Sequence, residues 1–283
     1  MILVDAQMHV WGADTPTRRW PSGSAHAAHR PVPVGVEETL RVLDEAGVHR
    51  AVLVPPSWEG DRNDLALDAA ARYPNRFAVM GRISLTDTAS TNRLARWREQ
   101  QGMLGVRLTL HLDPLRAAFR RGELDWFWAA AEAAGLPVMV YAPGMSRLLG
   151  EIARRHPALR LIVDHLALPV NLAGVESFAD LPELLALARF PNVAAKASAL
   201  PCHSELGHPF GDVHHALHRV FDAFGPRRLF WGSDWTRLPC PYRDNISLFT
   251  EELSFLSDED IQWIMGKALL GWLDWPTDAQ RTG

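Results

Sequence analysis

A (β/α)8 TIM barrel, built as one domain over residues 1–283, is the fold this sequence predicts. Three observations point there. Apolar runs of strand length recur along the whole chain, helical stripes separate them, and most runs are too continuous for strands with one wet face. Strands that alternate with helices in this way close more naturally into a barrel than into an open sheet.

The strand-length runs cover 2–9, 50–55, 77–83, 103–108, 137–141, 159–165, 193–196 and 229–234. Val36, Leu40 and Leu43 recur at helical spacing ahead of Gly47, which suits a helix ended by a glycine. Leu124, Phe127, Trp128 and Ala131 form another stripe that ends at Gly135. The stretch 153–156 stops before Pro157, and 216–224 stops before Gly225 and Pro226. No GxGxxG follows the first run and no phosphate-binding loop occurs, which disfavours a nucleotide-binding open sheet. Two connections are long, 12–35 and 197–212, and the second carries His203 and His208. After barrel strands, loops of that length build or cover a site.

Composition narrows the function classes. Hydrophobic residues at 47% with 22% charged are ordinary globular material. A net charge of -4 without a lysine or arginine block weighs against nucleic acid as a partner, and the pairs Arg120-Arg121 and Arg154-Arg155 read as helix ends. Two cysteines are too few for a disulfide framework, and Cys202 and Cys240 lie in proline-flanked loops as inert thiols. The start MILVDAQMHV lacks the basic, long apolar pattern of a signal peptide, and no run approaches the ~20 apolar residues of a membrane span. A cytoplasmic protein with no membrane partner is the expectation. Trp97, Trp126, Trp128 and Trp263 suit packing, whereas Trp11, Trp58 and Trp235 follow strands and suit a pocket wall.

Chemistry-bearing residues close several runs: Gln7 and His9, Arg107, Tyr141, His165 and Asp234. In a barrel all strand C-termini meet on one face, so these residues converge there. Strict alternation puts Asp5, Gln7 and His9 on one face of the first strand, and Leu161, Val163 and His165 on one face of the sixth. Phe230, Gly232 and Asp234 share a face of the eighth, and Gln7, His9, His165 and Asp234 then border one cavity. Plainer roles compete: a core histidine at 9, a helix cap at Asp234, an Arg107–Asp113 pair, barrel filling by Tyr141, and neutralisation of an inward acid by Lys196. Ser57 and Asn63, in PPSWEGDRN, are candidate substrate contacts.

DAQMHVW, GVR, IVDHLALP and FWGSDW, in this order, resemble the amidohydrolase superfamily, in the branch of lactonases that act on 2-pyrone-4,6-dicarboxylate and L-fuconolactone. The resemblance runs from residue 2 to about residue 272. It implies a hydrolase on this barrel. Metal-dependent members carry His-x-His on the first strand, Lys or Glu on the fourth, His on the fifth and sixth, and Asp on the eighth. This chain has Gln7-Met8-His9, Arg107, Tyr141, His165 and Asp234 there, so two imidazoles are missing. The expectation is therefore no tightly bound metal, with one divalent cation such as zinc on His9, His165 and Asp234, and His203 or His208 as recruits, as the alternative. A tyrosine on the fifth strand is similar to the metal-independent dicarboxylate lactonase.

If these groups converge, roles follow from their chemistry. Asp234 would take a proton from a water attacking a lactone carbonyl, with His9 and His165 donating to the oxygen that gains charge. Arg107 would grip a substrate carboxylate through two bonds, and Tyr141 would orient the substrate or protonate the leaving oxygen. Gln7, Trp11, Ser57 and Lys196 complete the expected substrate site. The partner is a small carboxylate-bearing lactone, and a homodimer is open because barrel exteriors in this family often pair. The competing readings are a zinc hydrolase, a metal-dependent carboxylate lyase, and a barrel that binds a small molecule without turning it over.

Overall fold

The computed structural model describes residues 1–87 and 89–276. Eight strands lie side by side in chain order, all neighbours parallel: β1 (Val4–Met8), β2 (Arg50–Leu53), β3 (Phe77–Gly81), β4 (Met103–Thr109), β5 (Val138–Tyr141), β6 (Leu161–Val163), β7 (Val193–Ser198) and β8 (Leu229–Gly232). Each coincides with an apolar run of the sequence, with β4 and β7 extending one and two residues past theirs. β8 returns to β1, where the Asp234 N–H donates to the Gln7 carbonyl at 2.9 Å and the Ser233 N–H to the Asp5 carboxylate at 2.9 Å. Gly232 permits this approach, because a Cβ there would lie 3.2 Å from the Gln7 nitrogen. The result is a nearly closed (β/α)8 barrel.

The strands are apolar throughout because both faces are covered. Val52, Ala78, Met80, Met139, Ile162 and Phe230 pack inside the barrel. Leu53, Val79, Val106, Val140, Val163 and Trp231 pack outward under the helices. Leu269, Leu270, Leu273 and Trp275 join the interior cluster and plug one end. The opposite end, where the strands finish, is left for chemistry.

The helical stripes appear as Val36–Glu45, Asp125–Ala133, Ser146–Arg155 and Gly211–Phe224. Gly47 (φ 70°) and Gly135 (φ 64°) follow two of them in the left-handed region that glycine enters without strain. The long first connection is tied to the rim. The Trp11 N–H donates to the Val34 carbonyl at 3.0 Å and the Ser24 hydroxyl to the Trp58 carbonyl at 2.7 Å. Among the described residues no helix is long and apolar enough to cross a membrane.

Strict alternation fails on two strands. The register of β1 against β2 shifts between Asp5 and Met8. This bulge lets Ala6 stay inside while Asp5 turns to the outer layer, so Asp5 does not share a face with Gln7 and His9. On β6, Leu161 and Val163 face the helices and Ile162 faces inward. His165 reaches the mouth because the chain leaves this strand in a left-handed turn, with φ 53° at His165 and 52° at Leu166.

Candidate active site

Three strand exits pass through the left-handed region at residues other than glycine: His165, Ala199 (φ 57°) and Asp234 (φ 51°). Each such residue costs about 1–3 kcal/mol, a strain that concentrates where geometry serves chemistry. Here the turns fold His165 and Asp234 back over the barrel mouth. Asp234 stands at the start of the helical turn Trp235–Arg237, but its side chain makes no capping bond.

The Asp234 carboxylate is the centre of the cluster. Its Oδ1 lies 3.1 Å from His9 Nε2 and 4.0 Å from His29 Nδ1. Its Oδ2 lies 3.4 Å from Arg237 Nη1 and 4.0 Å from His165 Nε2. His9 Nδ1 is 2.5 Å from the Val54 carbonyl oxygen, and His165 Nδ1 is 2.9 Å from the Ser198 hydroxyl. Burial alone would raise the Asp234 carboxyl, but His9, His29 and Arg237 override it and hold the group well below the usual carboxylate range. Burial lowers His165 well below the ordinary imidazole range and His29 to about 3, with Asp234 opposing both shifts. Asp234 is thus held as an anion, while His29 and His165 are held neutral.

Beneath this cluster runs a second, buried network. Lys196 Nζ lies 2.6 Å from Gln7 Oε1 and 2.8 Å from Asp164 Oδ1, and Asp164 Oδ2 accepts from Arg107 Nε at 2.9 Å. Burial favours a protonated Asp164, yet Lys196 and Arg107 hold it below the ordinary value. Lys196 thus does neutralise an inward acid, and it holds Gln7 as well. Arg107 pairs with Asp164, not Asp113, and its Nη1 donates to the Thr109 hydroxyl at 2.9 Å. With Nε given to Asp164, the two-bond carboxylate grip expected from sequence would fall to the outer Nη1–Nη2 edge of the guanidinium.

A further cation at this rim is Arg82, whereas His111 and Tyr141 are neutral. Arg82 Nη1 shares the Thr109 hydroxyl at 3.0 Å, and burial with Arg107 nearby lowers Arg82 to about 10. Burial and the same arginines lower His111 to about 4. The Tyr141 hydroxyl donates to the Leu168 carbonyl at 2.9 Å, and burial pushes the phenol up to about 12. Its proton is committed to backbone, so Tyr141 packs edge-on against His165 (5.4 Å between rings) and does not present an acid to the mouth.

Trp11 and Trp58 meet edge to face at 5.4 Å, and Trp58 lies 4.6 Å from His29, so both wall the site. Ser57 is half-buried in the turn beside Trp58. Asn63 clamps Arg82, accepting its N–H at 2.7 Å and donating to its carbonyl at 2.9 Å. His203 points to the Leu172 carbonyl and His208 to Ser247, so neither joins Asp234. Burial raises both cysteine thiols to about 11.

Sequence reasoning missed His29, Arg82 and Arg237. His29 sits in the long loop already marked for length, and Arg237 follows Asp234 by one helical turn; Arg82 carried no signal beyond lying at a strand end.

The metal implied by the resemblance does not fit the residues at its positions. The Gln7 carbonyl oxygen is taken by the Lys196 ammonium, Arg107 puts a cation at β4, and the β5 phenol is bonded to backbone. Among the described residues a different trio, His9, His29 and Asp234, places one potential ligand atom each within 4.8 Å of the others. His165 is not in that set.

A barrel whose last strand delivers a buried aspartate to imidazoles from the first and sixth has the layout of an amidohydrolase. The model of the amidohydrolase family matches residues 4–269, and the chain belongs to that family and is a hydrolase by class. It is similar to the L-fucono-1,5-lactonase of Burkholderia ambifaria, 31% identical over 249 residues that cover 82% of this chain and 79% of that protein. It is also similar to the 4-sulfomuconolactone hydrolase of Hydrogenophaga intermedia, 26% identical over 245 residues, 82% of this chain and 73% of that one. A solved amidohydrolase of Burkholderia multivorans with bound zinc superposes at a TM-score of 0.80, with 21% identity, 98% of this chain and 100% of that chain covered. At that identity the likeness speaks for the fold alone.

Proposed function

We propose that this chain opens a carboxylate-bearing lactone by adding water to the ring carbonyl, without a tightly held metal. The observation that carries the reading is the ionised, buried Asp234 held between His9, His165 and Arg237 at the barrel mouth. The named activities of two relatives, both on lactones, support the substrate class.

Asp234 accepts a hydrogen bond from the attacking water and orients it beside His9 as the oxygen adds to the carbonyl carbon and gives up a proton. Charge then moves to the carbonyl oxygen, where Arg237 and His165 are the nearest donors, each worth on the order of 10²–10³ in rate. Lactone cleavage suits the site better than amide cleavage, because an alkoxide leaves with less help than an amine. Arg82, Arg107 and Arg237 give the mouth the positive field that an acidic substrate needs.

Ring opening releases acid, so a lactone panel followed by titration tests this. Acid release with carboxylate-bearing lactones supports the proposal, whereas carbon dioxide release indicates a lyase and binding without turnover an inactive barrel. One observation favours a second reading, in which a divalent cation sits on His9, His29 and Asp234: the proximity of their three ligand atoms. Stoichiometric metal in the purified protein, with turnover lost on its removal, would establish that reading in place of the first.

A further inference from the structure

The contacts around His9 leave little freedom in where its protons lie. Lys196 is fully buried, and an ammonium has donors only. The Gln7 atom 2.6 Å from it must therefore be the amide oxygen. That fixes the other end of the amide, so the Gln7 NH2 faces His9 Nε2 at 3.1 Å. An amide NH2 cannot accept, which requires a lone pair on Nε2. On the opposite side of the ring a carbonyl that can only accept, Val54, lies 2.5 Å from Nδ1, which requires a proton there. For a neutral ring, three bonds in series leave one consistent tautomer.

The consequence falls on Asp234. Its Oδ1 is buried without a hydrogen-bond donor and lies 3.1 Å from that Nε2 lone pair. Two buried acceptors facing one another repel unless a donor occupies the angle between them. We propose that Lys196, acting through Gln7, fixes His9 as its Nδ1–H tautomer, so that His9 Nε2 and Asp234 Oδ1 together cradle the attacking water. His9 is then a catalytic residue that accepts, the reverse of the donor role its sequence position implies. Lys196 and Gln7 are positioning residues.

The proton bookkeeping closes. As the water oxygen forms its bond to the carbonyl carbon, one O–H bond breaks and its proton moves to Nε2, while the carbonyl π pair moves to oxygen. The imidazolium formed lies against the Asp234 carboxylate. Collapse of the tetrahedral intermediate breaks the ring C–O bond, and the departing alkoxide takes the proton back from Nε2. The carboxylate, 3.1 Å from that nitrogen, serves as its counter-charge.

The proposal rests on the lactonase reading for its water but not for its tautomer, and the two are tested separately. Nitrogen NMR of the 15N-histidine-labelled chain, with His9 assigned by its loss in His9→Asn, should show Nδ1 protonated and Nε2 unprotonated. Gln7→Glu keeps an oxygen toward Lys196 but turns an acceptor toward Nε2. His9 should then carry a proton on Nε2, with kcat lower by on the order of 10²-fold, a shifted pH profile and KM little changed. Lys196→Met should give mixed tautomers if it folds; Gln7→Glu decides the matter if it does not. A protonated Nε2 in the unaltered chain, an unchanged His9 signature in Gln7→Glu, or a stoichiometric metal on Nε2 would overturn the cradle. A correct tautomer in a chain that opens no lactone would instead overturn the functional reading.

Discussion

Asp5 on the first strand accepts the backbone N–H of Ser233, just past the last strand, at 2.9 Å. The same carboxylate accepts the Tyr242 hydroxyl at 2.6 Å and the Gln7 N–H at 2.8 Å, so one buried acid fastens the seam beside the active site. Replacing Asp5 with Ala leaves these donors unpaired and should cost about 3 kcal/mol. Asn, which retains one acceptor oxygen, should cost less. Urea unfolding of both variants checks the order; equal stability to the unaltered chain would remove the seam's importance.

Asp234→Asn keeps the shape of the carboxylate and removes its charge. Folding should be intact by circular dichroism, while kcat should fall by on the order of 10³-fold or more, since the acceptor that orients the water and the counter-charge of the imidazolium go together.

The cluster also dictates how stability follows pH. His29 titrates at about 3 in the fold and at its ordinary 6.5 when unfolded, so between those values the unfolded chain binds the extra proton. Its depressed value contributes stability that is present above 6.5 and is lost as pH falls toward 3. His165 acts in the same direction. His29→Gln should flatten the decline in unfolding free energy between about pH 6.5 and 4, read from urea titrations at each pH. An unaltered slope would count against the buried, neutral imidazole.

Arg107→Lys keeps a cation near Asp164 but gives up the planar fork and its reach toward the mouth. KM for carboxylate-bearing lactones should rise about tenfold, with neutral lactones unaffected, because what is lost is the guanidinium edge that meets the substrate's anion. An equal effect on both classes would assign Arg107 to structure alone.

Much of this was legible in the sequence. Short continuous apolar runs alternating with helical stripes suit strands covered on both sides, so the barrel follows from pattern, as does the meeting of His9, His165 and Asp234 at strand ends. What alternation could not give was the bulge that turns Asp5 outward or the left-handed turn that swings His165 inward, since both depend on how neighbouring strands fit. His29 approaches Asp234 across more than two hundred residues through a loop without periodicity. Arg107 and Tyr141 were recognisable as inward residues, but their committed partners, Asp164 and the Leu168 carbonyl, emerge only once the strands are side by side.

Hydrolysis of a carboxylate-bearing lactone in 18O-labelled water, followed by mass spectrometry, is the most direct measurement. Attack by a water held against Asp234 should place one 18O in the new carboxylate, release acid without carbon dioxide, and disappear in Asp234→Asn. Full-rate labelling in that variant, or no ring opening by the unaltered chain across such lactones, would contradict the assignment.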